Sequence, residues 1–158
     1  SVSSLSGLYH LEGATTSVLA NGATHPDETV SSGGITLDFA ITSGAVGLGY
    51  TSKMQTLRIE SGSSDGTSQG KPKRIHDVTL RFHETVGAEV GTDAANADRI
   101  FFRDSSMDMD TAVPLFTGDK EIEFPGGFEE GDRIYVQQAQ PLPMTVLALY
   151  PRMNTHDV

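Results

Sequence analysis

Cysteine and tryptophan are absent from the sequence, and only four tyrosines are present. Without cysteine there are no disulfides, no thiolate metal sites and no cysteine nucleophile. The lack of tryptophan weakens, without excluding, a carbohydrate-binding module, because such modules usually offer aromatic rings to sugars. No apolar run approaches the roughly 20 residues of a transmembrane helix, so we expect no membrane insertion.

Positive charge is also scarce, since 11 Lys and Arg face 21 Asp and Glu and give a net charge of −10. A chain of this charge repels nucleic acid, so we expect no nucleic-acid partner. The cations cluster once, at Lys71, Lys73 and Arg74. Because an acidic copy of the same chain would be attracted there, these three residues are the predicted assembly contact. The alternative is that they only offset carboxylates of their own domain.

Helical periodicity is missing over any stretch of helical length, whereas period-2 alternation and glycine-rich turns recur throughout the chain. Ile35, Leu37 and Phe39 alternate with polar residues, which is typical of a strand with one buried face. Asn21-Gly22 favours a two-residue type I′ hairpin. We therefore predict an all-β, single-domain, antiparallel β-sandwich or barrel-like fold of about nine short strands. Helix should stay below about 15%.

The length of 158 residues fits one domain, with residues 1–10 as an N-terminal lead-in and residues 11–158 as a single all-β domain. Residues 61–70 are rich in Ser and Gly and predict a surface loop. Residues 92–97 allow one helical turn at most. The segment 145–150 is the most apolar and is expected to be a central strand. Because the chain begins at Ser1 without an initiator Met, we expect a processed product or a piece of a longer polypeptide.

The predicted core takes the apolar and alternating positions of the predicted strands. These positions are Val18, Leu19, Ile35, Leu37, Phe39, Leu57, Ile59, Leu80, Phe82, Phe101, Ile122, Phe124, Ile134, Val136, Val146, Ala148 and Tyr150.

Candidate chemical sites are few. Asp104, Asp108 and Asp110 could offer oxygen ligands to Ca²⁺, but their segment lacks the Gly and Glu of an EF-hand loop, so a solvated loop is favoured. The five histidines form no HxH or HExxH pair, which predicts turn and surface histidines and no zinc site. No GxSxG nucleophile elbow is present. We therefore predict no cofactor, no metal and no enzyme, with a small hydrolase as a remaining alternative, since any two carboxylates can meet in space.

Three blocks of sequence occur in an order that is known from one family. They are residues 11–26 (LEGATTSVLANGATHP), residues 66–75 (GTSQGKPKRI), and a C-terminal block of 116–119 (FTGD), 125–128 (PGGF) and 140–148 (QPLPMTVLA). Together they resemble tail structural proteins of short-tailed phages, of the tail-nozzle or tail-stabilisation type. The similarity spans residues 11–150, and it departs from the family pattern at Asn21, Phe128 and Gln140.

The resemblance implies a function in assembly. It implies a virion tail location, with assembly in the host cytoplasm, and a homo-oligomer whose partners are other tail proteins and copies of itself. Members of the family are several times longer, and the matching pattern lies toward their C-terminal part. The resemblance supplies no catalytic residues. The alternative function is a receptor- or glycan-binding module of a phage or secreted protein, with a host-surface glycan as its partner.

Overall fold

The computed structural model describes residues 1–60, 62–63, 66–67, 70–124, 126–128 and 133–155. Strand accounts for 54% of the structure and helix for 2%, which confirms the all-β prediction. The helical part is one 3₁₀ turn at Tyr9–Leu11. All strand pairs in the described residues are antiparallel.

The chain folds into two compact units, each built from three stretches of sequence. The first unit comprises Ser1–Thr51, Arg103–Pro114 and Ala139–Pro143, and the second comprises Ser52–Phe102, Leu115–Gln138 and Met144–Val158. The range 11–158, which is predicted to be one domain, contributes residues to both units. Residues 1–10, the expected lead-in, belong to the first unit and contribute a strand to it.

The first unit has two antiparallel sheets around one apolar core. Its strands are β1 (Val2–Ser6), β2 (Thr15–Ala20), β3 (Ala23–Thr29), β4 (Gly34–Ile41) and β5 (Gly44–Gly47). One sheet has the order β1-β4 and the other the order β3-β2-β5. Both sheets supply the core, which consists of Val18, Ala20, Val30, Ile35, Leu37 and Ile41.

Two tight hairpins shape the first unit. Asn21 and Gly22 have φ values of 50° and 83°, so the predicted type I′ turn joins β2 to β3. Ser32 and Gly33, with φ of 55° and 71°, form the equivalent turn between β3 and β4. Positive φ at both central positions gives each hairpin the right-handed twist of its strands.

The second unit contains the longest strand of the chain. Its strands are β6 (Ser52–Gln55), β7 (Gly62–Ser63), β8 (Gly66–Thr67), β9 (Lys73–Thr85), β10 (Glu89–Gly91), β11 (Ala97–Arg99), β12 (Phe116–Glu123), β13 (Tyr135–Gln138) and β14 (Val146–Thr155). The sheets have the orders β12-β9-β14 and β11-β10-β13-β6, beside the two-residue pair β7-β8. On β9, Val78, Leu80 and Phe82 are fully buried.

The prediction that segment 145–150 forms a central strand is wrong, because β14 lies at the edge of its sheet and β9 is central. Pro151 within β14 explains this arrangement. Proline lacks the N–H that a central strand would donate, and it is tolerated at an edge. The apolar composition of β14 alone does not show that the strand lies at the edge of its sheet.

Most predicted core positions are buried or half-buried, but four are exposed: Phe39, Leu57, Phe101 and Tyr150. Leu57 and Phe101 lie outside the strands, and the buried ring is that of the next residue, Phe102. Tyr150 pairs with Thr79 and lies on the outer face of its sheet. The strands predicted around Leu57 and Phe101 do not form, whereas Phe39 and Tyr150 lie within β4 and β14 at exposed positions.

The helical turn allowed at residues 92–97 is also absent. The Asp93 carboxylate accepts the backbone N–H groups of Ala95, at 2.8 Å, and Asn96, at 3.0 Å. Such local side-chain bonds replace the hydrogen bonds of a helix. The segment forms bends that lead into β11.

Candidate functional site

A cleft of about 490 Å³ opens in the first unit beside β3. Its walls come from the β2–β3 hairpin and from the segment Ala139–Pro143, and they consist of Ser17, Thr24, His25, Pro26, Asp27, Ala139, Gln140 and Pro141. These residues belong to two of the three sequence blocks, the one at 11–26 and the one at 140–148, except for Asp27 and Ala139, which flank them. The fold therefore brings together residues more than a hundred positions apart.

The strand that borders the cleft is irregular. His25 pairs with Val18 and Glu28 with Thr16, and the register shifts between these pairs, so Pro26 lies in a β-bulge. Because β3 is an edge strand, the missing N–H of Pro26 costs little there. His25 and its partner Val18 are both buried. The bulge thus turns a histidine toward the interior where an apolar residue would be expected.

His25 makes a hydrogen bond with each of its ring nitrogens. Nδ1 lies 2.8 Å from the carbonyl oxygen of Pro26, and the backbone N–H of Asp38 donates to Nε2 at 3.1 Å. Since Nε2 accepts, Nδ1 must carry the proton and donate to Pro26. The ring is therefore neutral and fixed in one tautomer, with its side chain fully buried. The expectation of turn and surface histidines is wrong for His25.

The Asp38 N–H that donates to His25 lies in a stretch of β4 that is not paired with β1. The register runs from Val2↔Ile41 directly to Ser4↔Thr36, so residues 37–40 have no counterpart on β1. The Asp38 N–H would lack a ladder acceptor in this stretch, and Nε2 of His25 supplies one. The imidazole thereby joins β3 of one sheet to β4 of the other.

The carboxylates near this ring suggest a metal, but the donor set does not fit one. Within the described ranges, His25, Glu28 and Asp38 are the only three potential ligands whose atoms all lie within 4.8 Å of one another. A metal needs an unshared electron pair on the imidazole. The pair on Nε2 already accepts the Asp38 N–H, and Nδ1 bears the proton. We therefore interpret His25 as a structural histidine.

Two further polar side chains hold the turns of the first unit. Oδ1 of Asn21 accepts the N–H and the hydroxyl of Thr42 and the N–H of Ser43, at 2.9, 3.1 and 3.1 Å. The Glu12 carboxylate accepts the N–H groups of Ser32 and Gly33 at 2.8 and 2.7 Å. The partners are about 20 residues apart in sequence, so no local pattern predicts these bonds.

The three residues of the predicted assembly contact are not equivalent in the structure. Lys73 is buried, and its Nζ donates to the Ile59 carbonyl at 3.0 Å and lies 2.9 Å from the Glu60 carboxylate. Lys71 is half-buried and has an interaction of its own, whereas Arg74 is exposed. Lys73 therefore stabilises its own unit, and the surface that remains for a partner is centred on Arg74.

The other predicted sites have ordinary structural surroundings. Asp104 accepts the N–H of Ser106 at 2.8 Å in a local turn, and Arg103 donates to backbone carbonyls of Asp108 and Thr111. In the part of the chain that the structure describes, Asp104, Asp108 and Asp110 form no cluster of ligands. His10 and His83 are exposed, His76 is half-buried, and His156 lies outside the described residues.

The outer face of the β12-β9-β14 sheet carries charge pairs. Arg81 forms a bidentate pair with Asp119, at 2.7 and 2.8 Å, and lies over the ring of Tyr150. The hydrogen bonds from Arg81 lower the pKa of Asp119, and the same bonds raise the pKa of Arg81. Arg152 pairs with Glu121 at 2.9 Å on the same face. These groups are solvated, so they contribute little to stability.

No protein-family model matches the chain, and no curated protein matches it at a significant level. None of the helices among the described residues has the length and apolar character that a membrane span requires.

Proposed function

We propose that this chain is a virion structural domain of a phage tail that acts through protein–protein contacts in a symmetric assembly. The order of the three sequence blocks supports the assignment to a tail protein, and the all-β fold is consistent with that assignment. The proposal assigns the chain no reaction of its own. Its partners are copies of the chain and other tail proteins.

The observation that carries the proposal is a segment with four exposed large apolar side chains within ten residues. Leu48, Tyr50, Met54 and Leu57 have exposed fractions of 64%, 82%, 39% and 85%. Leu48 and Tyr50 belong to the first unit and Met54 and Leu57 to the second, so each unit offers a partner two exposed large apolar side chains of this segment. The segment is also nearly free of charge, with Lys53 its one ionisable side chain apart from the Tyr50 phenol.

The charges on the chain indicate which two surfaces of neighbouring copies would meet. The cleft of the first unit carries Asp27 on its wall, and Glu28 and Asp38 lie beside His25. Arg74 and Lys71 of the second unit carry the opposite charge. A contact between the basic surface of one copy and the acidic cleft of the next is heterologous, and such contacts form rings when the rotation between copies closes. Attraction of this kind governs partner choice and association rate.

The test is assembly of tails that carry Lys71→Glu and Arg74→Glu together. We expect fewer complete tails in the double variant, and Arg74→Glu alone, at an exposed position, should leave the melting temperature of the isolated chain unchanged. Lys73 is left intact, because its reversal would break a buried ion pair and confuse folding with assembly. Arg133→Glu is the matched control, since it reverses an exposed cation that lies outside both the 48–57 segment and the basic cluster. Normal, infectious particles with both reversals would rule out this contact.

A second candidate function, a receptor- or glycan-binding module, is favoured by the polar lining of the cleft. Ser17, Thr24, Asp27 and Gln140 offer hydroxyl, carboxylate and amide groups, which are the groups that bind sugar hydroxyls. A glycan array tests it. Binding that is lost in Asp27→Asn or Gln140→Ala would favour this function over assembly.

A further inference from the structure

The hydrogen bonds of His25 exist in one protonation state only. In the neutral ring, Nδ1–H donates to Pro26 and Nε2 accepts from the Asp38 backbone. In the imidazolium both nitrogens are donors, so Nε2 loses its ability to accept. The bond to Pro26 is unaffected by the added proton, whereas the bond from Asp38 must break.

The protonated ring has an acceptor within reach. Oδ2 of Asp38 lies 3.7 Å from Nε2, and the Asp38 side chain is 74% exposed and able to move. We propose that His25 is a two-position switch, in which protonation exchanges the Asp38 backbone N–H for the Asp38 carboxylate as the partner of Nε2. The exchange needs a rotation of the backbone near Asp38, since the N–H and the carboxylate belong to the same residue.

The charged groups around the ring are carboxylates. Glu28 faces it from β3 and Asp38 from β4, and both have carboxylate oxygens within 4.8 Å of the other members of the group. Asp27 lies on the adjacent cleft wall, and the segment Ala139–Pro143 contributes only Ala139, Gln140 and Pro141. No cation lies among these described neighbours. Histidine is the side chain whose charge ordinarily changes between pH 5 and 8.

The stretch of β4 that would move is not paired with the neighbouring strand β1. Residues 37–40 have no pairing partner on β1, so their rotation breaks no bond of that ladder. Phe39 lies against the His25 ring, with centroids 5.4 Å apart, and is 48% exposed. A shift at Asp38 therefore moves Phe39 and the ring, and His25 is part of the cleft wall. The switch is independent of what the cleft binds.

NMR spectroscopy of the intact chain tests the switch directly. A bond from the Asp38 N–H to Nε2 transmits a scalar coupling between the two nitrogen nuclei, and ring nitrogen shifts report the tautomer. At pH 8 we expect the coupling and the Nδ1–H tautomer. On titration toward pH 5 the ring should protonate, the coupling should vanish, and the Asp38 and Phe39 amide signals should move with the same midpoint.

Two variants separate the switch from a general effect of acid. Asp38→Ala keeps the backbone N–H but removes the second acceptor, so the ring should protonate at a lower pH than in the parent chain. His25→Gln can accept the N–H without titrating, so its Asp38 and Phe39 signals should stay constant. A ring that protonates while the Asp38 coupling persists would overturn the proposal. So would an unchanged midpoint in Asp38→Ala, even if His25→Gln failed to fold.

Discussion

The β12-β9-β14 sheet of the second unit and the cleft region of the first unit are organised by different forces. On β9, alternating apolar side chains are buried and the strand is paired on both sides. Around the cleft, β3 has a bulge, β4 leaves its partner, and the side chains of His25, Asn21 and Glu12 bond backbone groups. The first region shows how apolar pattern specifies a sheet, and the second shows how polar side chains stabilise a surface where the ladder is interrupted.

The largest effect should come from truncating the apolar face of β9. Leu80→Ala should lower the free energy of unfolding by about 2–5 kcal/mol, because Leu80 is fully buried and the substitution leaves a cavity. The same change at Leu57, which is 85% exposed, should stay within about 0.5 kcal/mol. Urea unfolding measures both. Equal losses at the two leucines would show that burial does not distinguish them.

A smaller effect is expected at Lys73, where the second unit relies on a polar side chain. Lys73→Ala removes a buried donor to Ile59 and the ion pair with Glu60, and should cost about 1–3 kcal/mol. The neighbouring Arg74→Ala should cost less than about 0.5 kcal/mol, since Arg74 is exposed. The melting curves of the two variants show whether Lys73 stabilises the fold and Arg74 does not. Identical melting curves would contradict these different roles of Lys73 and Arg74.

The turn residue Asn21 tests the polar organisation of the first unit. Asn21→Gly keeps a backbone that accepts φ of 50° but removes the oxygen that accepts three hydrogen bonds, and should cost about 1–2 kcal/mol. Asn21→Asp keeps an acceptor oxygen and should be within about 0.5 kcal/mol of the parent chain. Chemical denaturation again provides the measurement. A neutral Asn21→Gly would mean that the turn conformation alone holds this end of the unit.

The smallest effect concerns acid. Hydrogen bonds from Asn96 and from Ala95 lower the pKa of Asp93, and those from Arg81 lower the pKa of Asp119. A carboxyl whose folded pKa is below its unfolded value of about 3.9 stabilises the protein above that value and loses this contribution as pH falls through the folded pKa. Stability should therefore decline below about pH 4. Asp93→Asn and Asp119→Asn should each make the decline slightly shallower in urea titrations, and a steeper decline would contradict the assignment.

The sequence predicted the features that depend on local pattern. The type I′ turn at Asn21-Gly22, the buried face of β9 and the all-β class follow from residues close together in the chain. The edge position of β14 was predictable from Pro151, although its apolar composition pointed the other way. These features are governed by backbone sterics and by the period of the strand.

The site was much less predictable. The roles of His25, Glu12 and Lys73 depend on partners between 13 and 21 residues away, in segments whose approach no local pattern encodes. A histidine in an alternating strand gives no sign that an unpaired N–H will lie opposite. The cluster at Lys71, Lys73 and Arg74 shows the same limit, because charge in the sequence does not distinguish a buried cation from an exposed one.

The most direct test of the assembly proposal is sedimentation velocity of the intact chain over a wide range of concentration at low ionic strength, where charge attraction is least screened. We expect the average mass to rise with concentration in the parent chain and in Arg133→Glu. The rise should be lost in the Lys71→Glu, Arg74→Glu variant and reduced in Arg74→Glu, whose melting temperature should be that of the parent chain. A parent chain that stays monomeric at every concentration, or a rise that the double reversal leaves unchanged, would contradict the proposal.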